Sequence, residues 1–463
     1  MVQNPSFDQL QLPVDLYENL KSLDYHTMTP VQAQSLPLVL EGKDVIAQAK
    51  TGSGKTVAFG LGLLAQLDVK KFRVQALVLC PTRELADQVA REIRKLARGI
   101  HNVKVLTLCG GMPFGPQIGS LEHGAHIVVG TPGRIEEHLR KERLNVDHVQ
   151  TLVLDEADRM LDMGFQASLE AIVAPIPKQR QTLLFSATFP EAIESIARNV
   201  MREPERVTVE SPTEESTITQ FFYPVDSEDH RRQAVGLLLM QDKAASAIVF
   251  CNTKRECQEV ATELSNQGFS ALALHGDLEQ RERDQVLVRF ANKSVSVLVA
   301  TDVAARGLDI EDLDTVINYH IARDPEVHVH RVGRTGRAGS HGRAHTLYSD
   351  KENFKLRLLE EEQGIAVERE ILPPASLLND QPRRPAMVTL QIDGGKKNKV
   401  RPGDILGALT GDGGVQGSDV GKIQVFPMSS YVAVKREVVK TALQKLGAGK
   451  LKGRNFRVRK LGR

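Results

Sequence analysis

Eight residues, Ala49-Lys50-Thr51-Gly52-Ser53-Gly54-Lys55-Thr56, constrain this chain more than any other stretch. Gly52 and Gly54 permit backbone dihedrals that a Cβ forbids, so the segment can curl and aim successive N–H groups at one point. The residues before it, Asp44-Val45-Ile46-Ala47-Gln48, read as a buried strand, and those after it as an apolar helix starting near Gly54. That helix adds the positive end of its dipole to the same point. In the pattern G-x-x-x-x-G-K-[ST], Lys55 meets the β- and γ-phosphates of a nucleotide and the Thr56 hydroxyl ligates Mg²⁺. Ala49 stands where the pattern has its first glycine. A chance Gly-rich turn would lack this strand–loop–helix setting. The feature predicts a parallel α/β sheet that binds a nucleotide, without saying what the nucleotide drives.

A chain of 463 residues exceeds one hydrophobic core, so two or three domains are expected. No apolar run approaches the ~20 residues that span a bilayer. Met1-Val-Gln-Asn-Pro5 has neither a basic start nor an apolar segment, so no secretion signal is expected. The four cysteines lack metal-ligand spacing and read as idle thiols of a reducing, cytoplasmic compartment. The net charge of +2 hides a division. From Arg383 onward 18 Lys and Arg face 5 Asp and Glu, a balance of +13, while residues 1–382 carry 42 against 53. A basic tail on an acidic body points to a polyanion gripped mainly by the tail.

Between residues 1 and 208, short apolar runs alternate with amphipathic helical stretches: Val45–Ala47, Ala76–Cys80, Lys104–Leu108, Ile127–Val129, Thr151–Leu154 and Gln181–Phe185. Such runs predict a parallel sheet covered on both faces, with ligands at the carboxyl ends of its strands. Asp155-Glu156-Ala157-Asp158 follows one of them. There Asp155 is the candidate Mg²⁺ ligand and Glu156 the candidate to orient or deprotonate an attacking water.

The quartet Asp155–Asp158, the loop Ala49–Thr56 and Ser186-Ala187-Thr188 together resemble the DEAD-box RNA helicases, over about residues 5–375. Thr29-Pro30-Val31-Gln32, with Phe7 upstream, resembles that family's Q motif. The resemblance implies that Gln32 reads the adenine edge of ATP and that Phe7 packs on the base; Tyr25 is a further aromatic candidate with a core role as its alternative. It implies two tandem RecA-like α/β domains, residues 1–208 and 218–375. It also makes Arg83 (in Pro81-Thr-Arg-Glu-Leu-Ala86), Gly110 and Gly111, Thr131 and Arg134 the residues that grip RNA. These sit in turns after strands and offer N–H groups, a hydroxyl or a guanidinium to phosphates. Arg83 has an internal partner such as Glu84 as its alternative. In the family, Ser186–Thr188 couples the nucleotide to strand separation.

Glu203–Thr217 reads as a linker, followed by a second alternating pattern: 218–225, Ala247–Cys251, Ala271–Leu274, Val295–Ala300, Thr315–Asn318 and Arg343–Tyr348. This half has no phosphate loop of its own and is expected to close over the first domain's ligand. His330-Arg-Val-Gly-Arg-Thr-Gly-Arg337 crowds three arginines into eight residues. The resemblance assigns Arg334 and Arg337 as arginine fingers on the γ-phosphate and Asp309 to the ribose. Asp302 and His330 are expected to link motifs across the domains. Asn252 and Thr253, Gln280, Arg283, Thr301 and Gly307 match this domain's RNA motifs, although Gln280 and Arg283 lie in a polar helix, Leu278–Phe290, that could simply be solvated.

After the Pro-containing segment Leu372–Pro385 the pattern reads strand Met387–Ile392, helix Pro402–Thr410, strand Lys422–Phe426, strand Ser430–Lys435, helix Arg436–Leu446, strand Asn455–Lys460. This βαββαβ order over 385–463 resembles an RNA-recognition motif. Around Ser430–Val434 only Tyr431 is aromatic, so base stacking on the sheet is weakly supported; Lys396, Lys397, Lys399, Arg401 and the basic residues 450–460 are the other RNA candidates. A helicase core with such a tail resembles a bacterial branch of the family directed to 23S-type rRNA during large-subunit assembly. The expected cofactors are ATP and Mg²⁺; the expected partners are structured rRNA and the ribosomal large-subunit precursor, with no membrane and no obligate protein partner. Open alternatives are a general mRNA or cold-response remodeller, a non-unwinding RNA clamp, and a DNA helicase of the same architecture.

Overall fold

The structure is a computed structural model that describes residues 5–49, 52–209, 218–305, 313–336, 341–364, 367–449 and 451–462. Lys50, Thr51, Gly307, Asp309 and Arg337 lie outside the described residues.

Seven parallel strands form the first sheet: β1 (Val45–Gln48), β2 (Ala76–Leu79), β3 (Val105–Leu108), β4 (Ile127–Gly130), β5 (Thr151–Asp155), β6 (Gln181–Ser186) and β7 (Glu205–Thr208). Their order is β3-β4-β2-β5-β6-β1-β7. The continuous apolar runs have a structural cause. Because successive side chains point to opposite faces, Val45, Ala47, Val78, Val153 and Phe185 feed one core while Ile46, Leu77, Leu154 and Leu184 feed the other. Helices cover both cores. The helix Arg83–Leu96 is representative: Leu85, Ala86, Val89, Ala90, Ile93 and Leu96 are buried at i, i+3, i+4 spacing, and the Thr82 hydroxyl caps it by accepting from Leu85 N at 3.3 Å.

Strand β7 departs from the linker expected over Glu203–Thr217. Glu205-Arg-Val-Thr208 buries only Val207, yet its backbone pairs in parallel with β1 at the sheet edge. An edge strand needs one buried face and half a ladder, so its sequence carries little apolar signal.

Six strands form the second sheet: β8 (Ile218–Pro224), β9 (Ala247–Cys251), β10 (Ala271–Leu274), β11 (Val297–Thr301), β12 (Thr315–Asn318) and β13 (Gly342–Tyr348), in the order β10-β11-β9-β12-β13-β8 and all parallel. The third sheet is antiparallel, with β14 (Met387–Ile392), β15 (Val420–Val425), β16 (Ser430–Lys435) and β17 (Val458–Lys460) in the order β15-β16-β14-β17. One face packs Val388, Leu390, Ile392, Val432 and Val434 against Ile405, Leu409, Ala442 and Leu446 of the helices Pro402–Thr410 and Val439–Ala448. The first sheet lies in one compact unit; the second and third share another.

Within that shared unit the outer face of the third sheet is covered. Asn292 Nδ2 donates to Thr389 Oγ1 at 3.2 Å, the Ser294 and Thr389 hydroxyls meet at 2.7 Å, and Gln285 Nε2 donates to Gln391 at 3.3 Å. Thr389, Gln391, Tyr431 and Ala433 are each at most 2% exposed. The Pro-containing segment before this domain is also packed: its short 3-10 helix Ala375–Asn379 lies along the helix Glu228–Asp242.

Candidate functional site

The carboxyl ends of β5, β6 and β1, three neighbours in the first sheet, carry the nucleotide candidates. Gly52 and Gly54 take φ of 82° and 93°, as the tight loop requires. The helix Lys55–Ala65 begins directly behind them. Lys55 is buried, and its Nζ donates to Ala49 O at 2.9 Å. Ala49 N donates to Ser186 O at 3.0 Å, so the loop is tied to the end of β6. The Ser53 Oγ is buried without a partner.

Asp155 ends β5 and is 3% exposed; its Oδ1 also has no partner. Burial pushes its carboxyl well above the ordinary carboxylate range, against the pull of Lys55. An orphaned, dry carboxylate oxygen beside a phosphate loop suits a divalent cation. Among the described residues no three His, Cys, Asp or Glu converge as a metal cage. Glu156 sits at φ 52°, ψ 52°, and its Oε2 accepts from Arg159 at 2.7 Å. Asp158 Oδ2 accepts from Ala187 N, Thr188 N and Thr188 Oγ1 at 3.0–3.2 Å. Burial alone would raise Asp158; the Thr188 N–H and the Arg159 charge bring it below its usual value. The quartet and Ser186–Thr188 are therefore one hydrogen-bonded assembly.

The candidates for the adenine are packed against the body of this domain. Phe7 is 1% exposed and belongs to the core cluster with Leu16, Leu20 and Val31. Gln32 is 3% exposed; its Oε1 accepts from Thr29 N at 2.9 Å and its Nε2 donates to Gly54 O at 3.1 Å. It acts here as a strut beneath the phosphate loop, and a Cβ at Gly54 would overlap its amide. Tyr25 is structural, donating to Glu92 at 2.9 Å.

The RNA candidates of this sheet occupy the adjoining strand ends. Arg83 follows β2 and lies against Gly111, which follows β3 at φ 69°; any Cβ there would collide with the guanidinium. Thr131 follows β4. Arg134 donates to Met112 O at 3.0 Å, pairs with Glu137 at 3.1 Å and lies over Phe114. One edge of one sheet thus holds both sets side by side.

In the second sheet the corresponding candidates gather at β10, β11 and β9. Gln280 and Arg283 open the helix Gln280–Ala291, with Arg283 donating to Ala304 O at 2.8 Å. Thr301 ends β11 and Asn252 follows β9. Sequence reasoning missed their organiser, Arg331. It is 2% exposed, donates to both Asp302 carboxylate oxygens at 2.6 and 2.8 Å and to Asn252 Oδ1 at 3.0 Å, and rests over Phe250. Asp302 is therefore engaged by Arg331 within its own domain. The crowding of three arginines into His330–Arg337 was the signal that could have found it. Arg334 is 6% exposed, just past the helix Pro325–Val332.

In the third domain Lys396, Lys397, Lys399 and Arg401 are all exposed. Their turn is fixed to the β15–β16 loop by Lys396 N to Phe426 O at 2.9 Å and Lys397 N to Pro427 O at 3.0 Å. Met428 on that loop is 62% exposed. Tyr431, at 2% exposure, packs edge-on against Phe426. The four cysteines are buried, as expected of idle thiols.

Comparison with known proteins agrees with this layout. Residues 29–196 match the DEAD/DEAH box helicase family, 230–339 the helicase conserved C-terminal domain, and 389–460 the DbpA RNA binding domain. The chain is 54% identical to the ATP-dependent RNA helicase DbpA of Escherichia coli over 450 residues, 97% of this chain and 98% of that one. It is 45% identical to the ATP-dependent RNA helicase CshA of Listeria monocytogenes over 355 residues, 77% and 68% of the two chains. Among solved structures, Mss116p bound to ssRNA and AMP-PNP is similar at TM-score 0.73 and 28% identity, covering 81% of each chain. S. cerevisiae Dbp5 L327V bound to RNA and ADP BeF3 is similar at 0.72 and 29%, covering 81% of this chain and 97% of that one. The chain belongs to the DEAD-box RNA helicases, with two RecA-like parallel-sheet domains and a small antiparallel one. Within that family it is an ATP-dependent RNA helicase of the DbpA type, with a DbpA RNA binding domain over residues 389–460.

Proposed function

We propose that this helicase melts short RNA duplexes in 23S-type rRNA during assembly of the large ribosomal subunit, and so works in the cytoplasm. One observation carries the mechanism: nucleotide-type and RNA-type residues occupy adjoining strand ends of one sheet. A nucleotide at Lys55 and Asp155 and a phosphodiester at Arg83, Gly111, Thr131 and Arg134 then share one rigid edge. The second sheet repeats the RNA-type turns without a phosphate loop, and supplies Arg334 and Arg337 to the γ-phosphate. Asp309 is assigned to the ribose. ATP and RNA each favour the closed arrangement, so each raises affinity for the other. A grip that bends one strand rejects a regular duplex, and hydrolysis releases it. Mg²⁺, held by Thr56 and through water by Asp155, would neutralise charge developing on the phosphates. Gln32 props the loop and Lys50, Thr51, Gly52, Ser53 and Gly54 surround the phosphates.

Target choice is assigned to the exposed turn Lys396–Arg401 with Met428 rather than to the buried sheet face. The decisive measurement is ATPase stimulation by large-subunit rRNA fragments against homopolymer RNA. The full chain should prefer the rRNA fragment, and a chain with Lys396, Lys397 and Lys399 changed to Glu should lose that preference while keeping homopolymer-stimulated turnover. Equal stimulation of the unaltered chain by both RNAs would favour a general remodeller instead.

A further inference from the structure

The Glu156–Arg159 pair does more than tie the residue before the short helix Ala157–Asp162 to one inside it. Both side chains are 5% exposed and the contact is 2.7 Å. At this i, i+3 spacing an exposed pair contributes only a few tenths of a kcal/mol, while burial charges both ions a desolvation cost. An arginine buried here therefore asks for another reason. It lies among three carboxylates whose states differ. Asp158 is committed to Ala187 and Thr188. Asp155 has an oxygen without a partner. Glu156 gives one oxygen, Oε2, to the guanidinium.

The backbone narrows the choice further. Glu156 is left-handed, at φ 52° and ψ 52°, a conformation that costs a residue with a Cβ roughly 1–2 kcal/mol. That strain sets the direction in which Cβ leaves the chain. The guanidinium then fixes the remaining rotation by holding Oε2.

We infer that Arg159 is a positioning residue for ATP hydrolysis: it holds Glu156 by one carboxylate oxygen so that the other faces the attacking water in a fixed direction. As the water oxygen bonds to the γ-phosphorus, the bond from that phosphorus to the β–γ bridging oxygen breaks, leaving ADP and phosphate. The proton released by the water passes to Glu156 Oε1. The inference rests on the reading of Glu156 as the residue that handles that water.

The test uses the full chain, saturating homopolymer RNA and two variants. Arg159→Gln removes the charge at similar length; Arg159→Lys keeps the charge without the fork. The readouts are kcat, KM for ATP, and RNA affinity with AMP-PNP, which needs a formed site but no water attack. The expected result for Arg159→Gln is a fall in kcat of about 10- to 100-fold, the scale of a lost orientation. KM and AMP-PNP-dependent RNA affinity should stay within about threefold, and Arg159→Lys should recover most of kcat. A kcat for Arg159→Gln within about twofold of the unaltered chain overturns the inference alone. So does a fall in kcat matched by an equal fall in AMP-PNP-dependent RNA affinity, which would make the residue merely structural. No RNA-stimulated hydrolysis by the unaltered chain would overturn the proposed function along with it.

Discussion

The strand-end edges of the first and second sheets are built alike and finished differently. Both gather polar turns at the carboxyl ends of adjacent parallel strands. At the first edge, Ser53 Oγ and Asp155 Oδ1 are buried without partners, and Glu156 is held in a strained conformation. At the second, one guanidinium, Arg331, satisfies Asp302 and Asn252 together. Unmet hydrogen-bonding capacity costs about 1–3 kcal/mol per buried group, and strain adds to it. The first edge therefore stores a deficit that a ligand can relieve, while at the second, among the described residues, His275 Nδ1 is buried without a partner but the Asp302–Asn252 pair is already satisfied by Arg331.

The largest test of this contrast is Arg334→Ala. If Arg334 acts on the reacting phosphate as proposed, RNA-stimulated kcat should fall by about 10³-fold or more, in a steady-state ATPase assay. Glu156→Gln should halt turnover yet leave RNA bound for longer with ATP than without it; equal release rates with and without ATP would break the coupling. A comparable effect, on stability instead of rate, is expected at Arg331→Gln. Removing one partner of a buried pair leaves Asp302 uncompensated and should cost about 3–5 kcal/mol, read by denaturant unfolding.

The second sheet offers a pH test away from its edge. Asp242 accepts from His345 and Arg343, both at 2.8 Å, and from Thr315 at 2.7 Å. Burial opposes its charge, yet these partners hold its pKa down to about 2 from an ordinary 3.8. A depressed carboxylate stabilises the fold above its unfolded value and loses that contribution as pH falls through the folded one. The stability advantage over Asp242→Asn should therefore be full above about pH 4 and vanish towards pH 2. The smallest effect sharpens the contrast best. Ser53→Ala removes an orphaned hydroxyl, so it should raise ligand-free stability by about 1 kcal/mol while weakening ATP binding in calorimetry. A loss of stability would mean that the hydroxyl is satisfied after all and that the edge stores no deficit there.

The sequence was most informative where one residue type does one job. Continuous apolar strands located all but one strand of the first sheet, and Gly52–Thr56 located the loop. It was least informative where a side chain has two partners to choose from. Gln32 has the donor and acceptor that adenine needs, and the same two groups suit Thr29 N and Gly54 O. Phe7 is an aromatic residue in a plausible place, and the core claimed it. β7 hid because an edge strand buries a single side chain. The cover on the outer face of the third sheet hid for a longer-range reason: Asn292, Ser294 and Gln285 lie 95–106 residues from their partners Thr389 and Gln391, beyond the reach of local pattern.

That covering has a practical consequence. Thr389 and Gln391 are matched to Asn292, Ser294 and Gln285 by hydrogen bonds, so the outer face of the third sheet is polar but dry. Transplanted onto a foreign helicase, the 387–460 module would bring a patch whose partners had stayed behind. A working chimera would have to carry the helix Gln280–Ala291 and the turn after it along with the module, which makes that helix part of the smallest exportable unit.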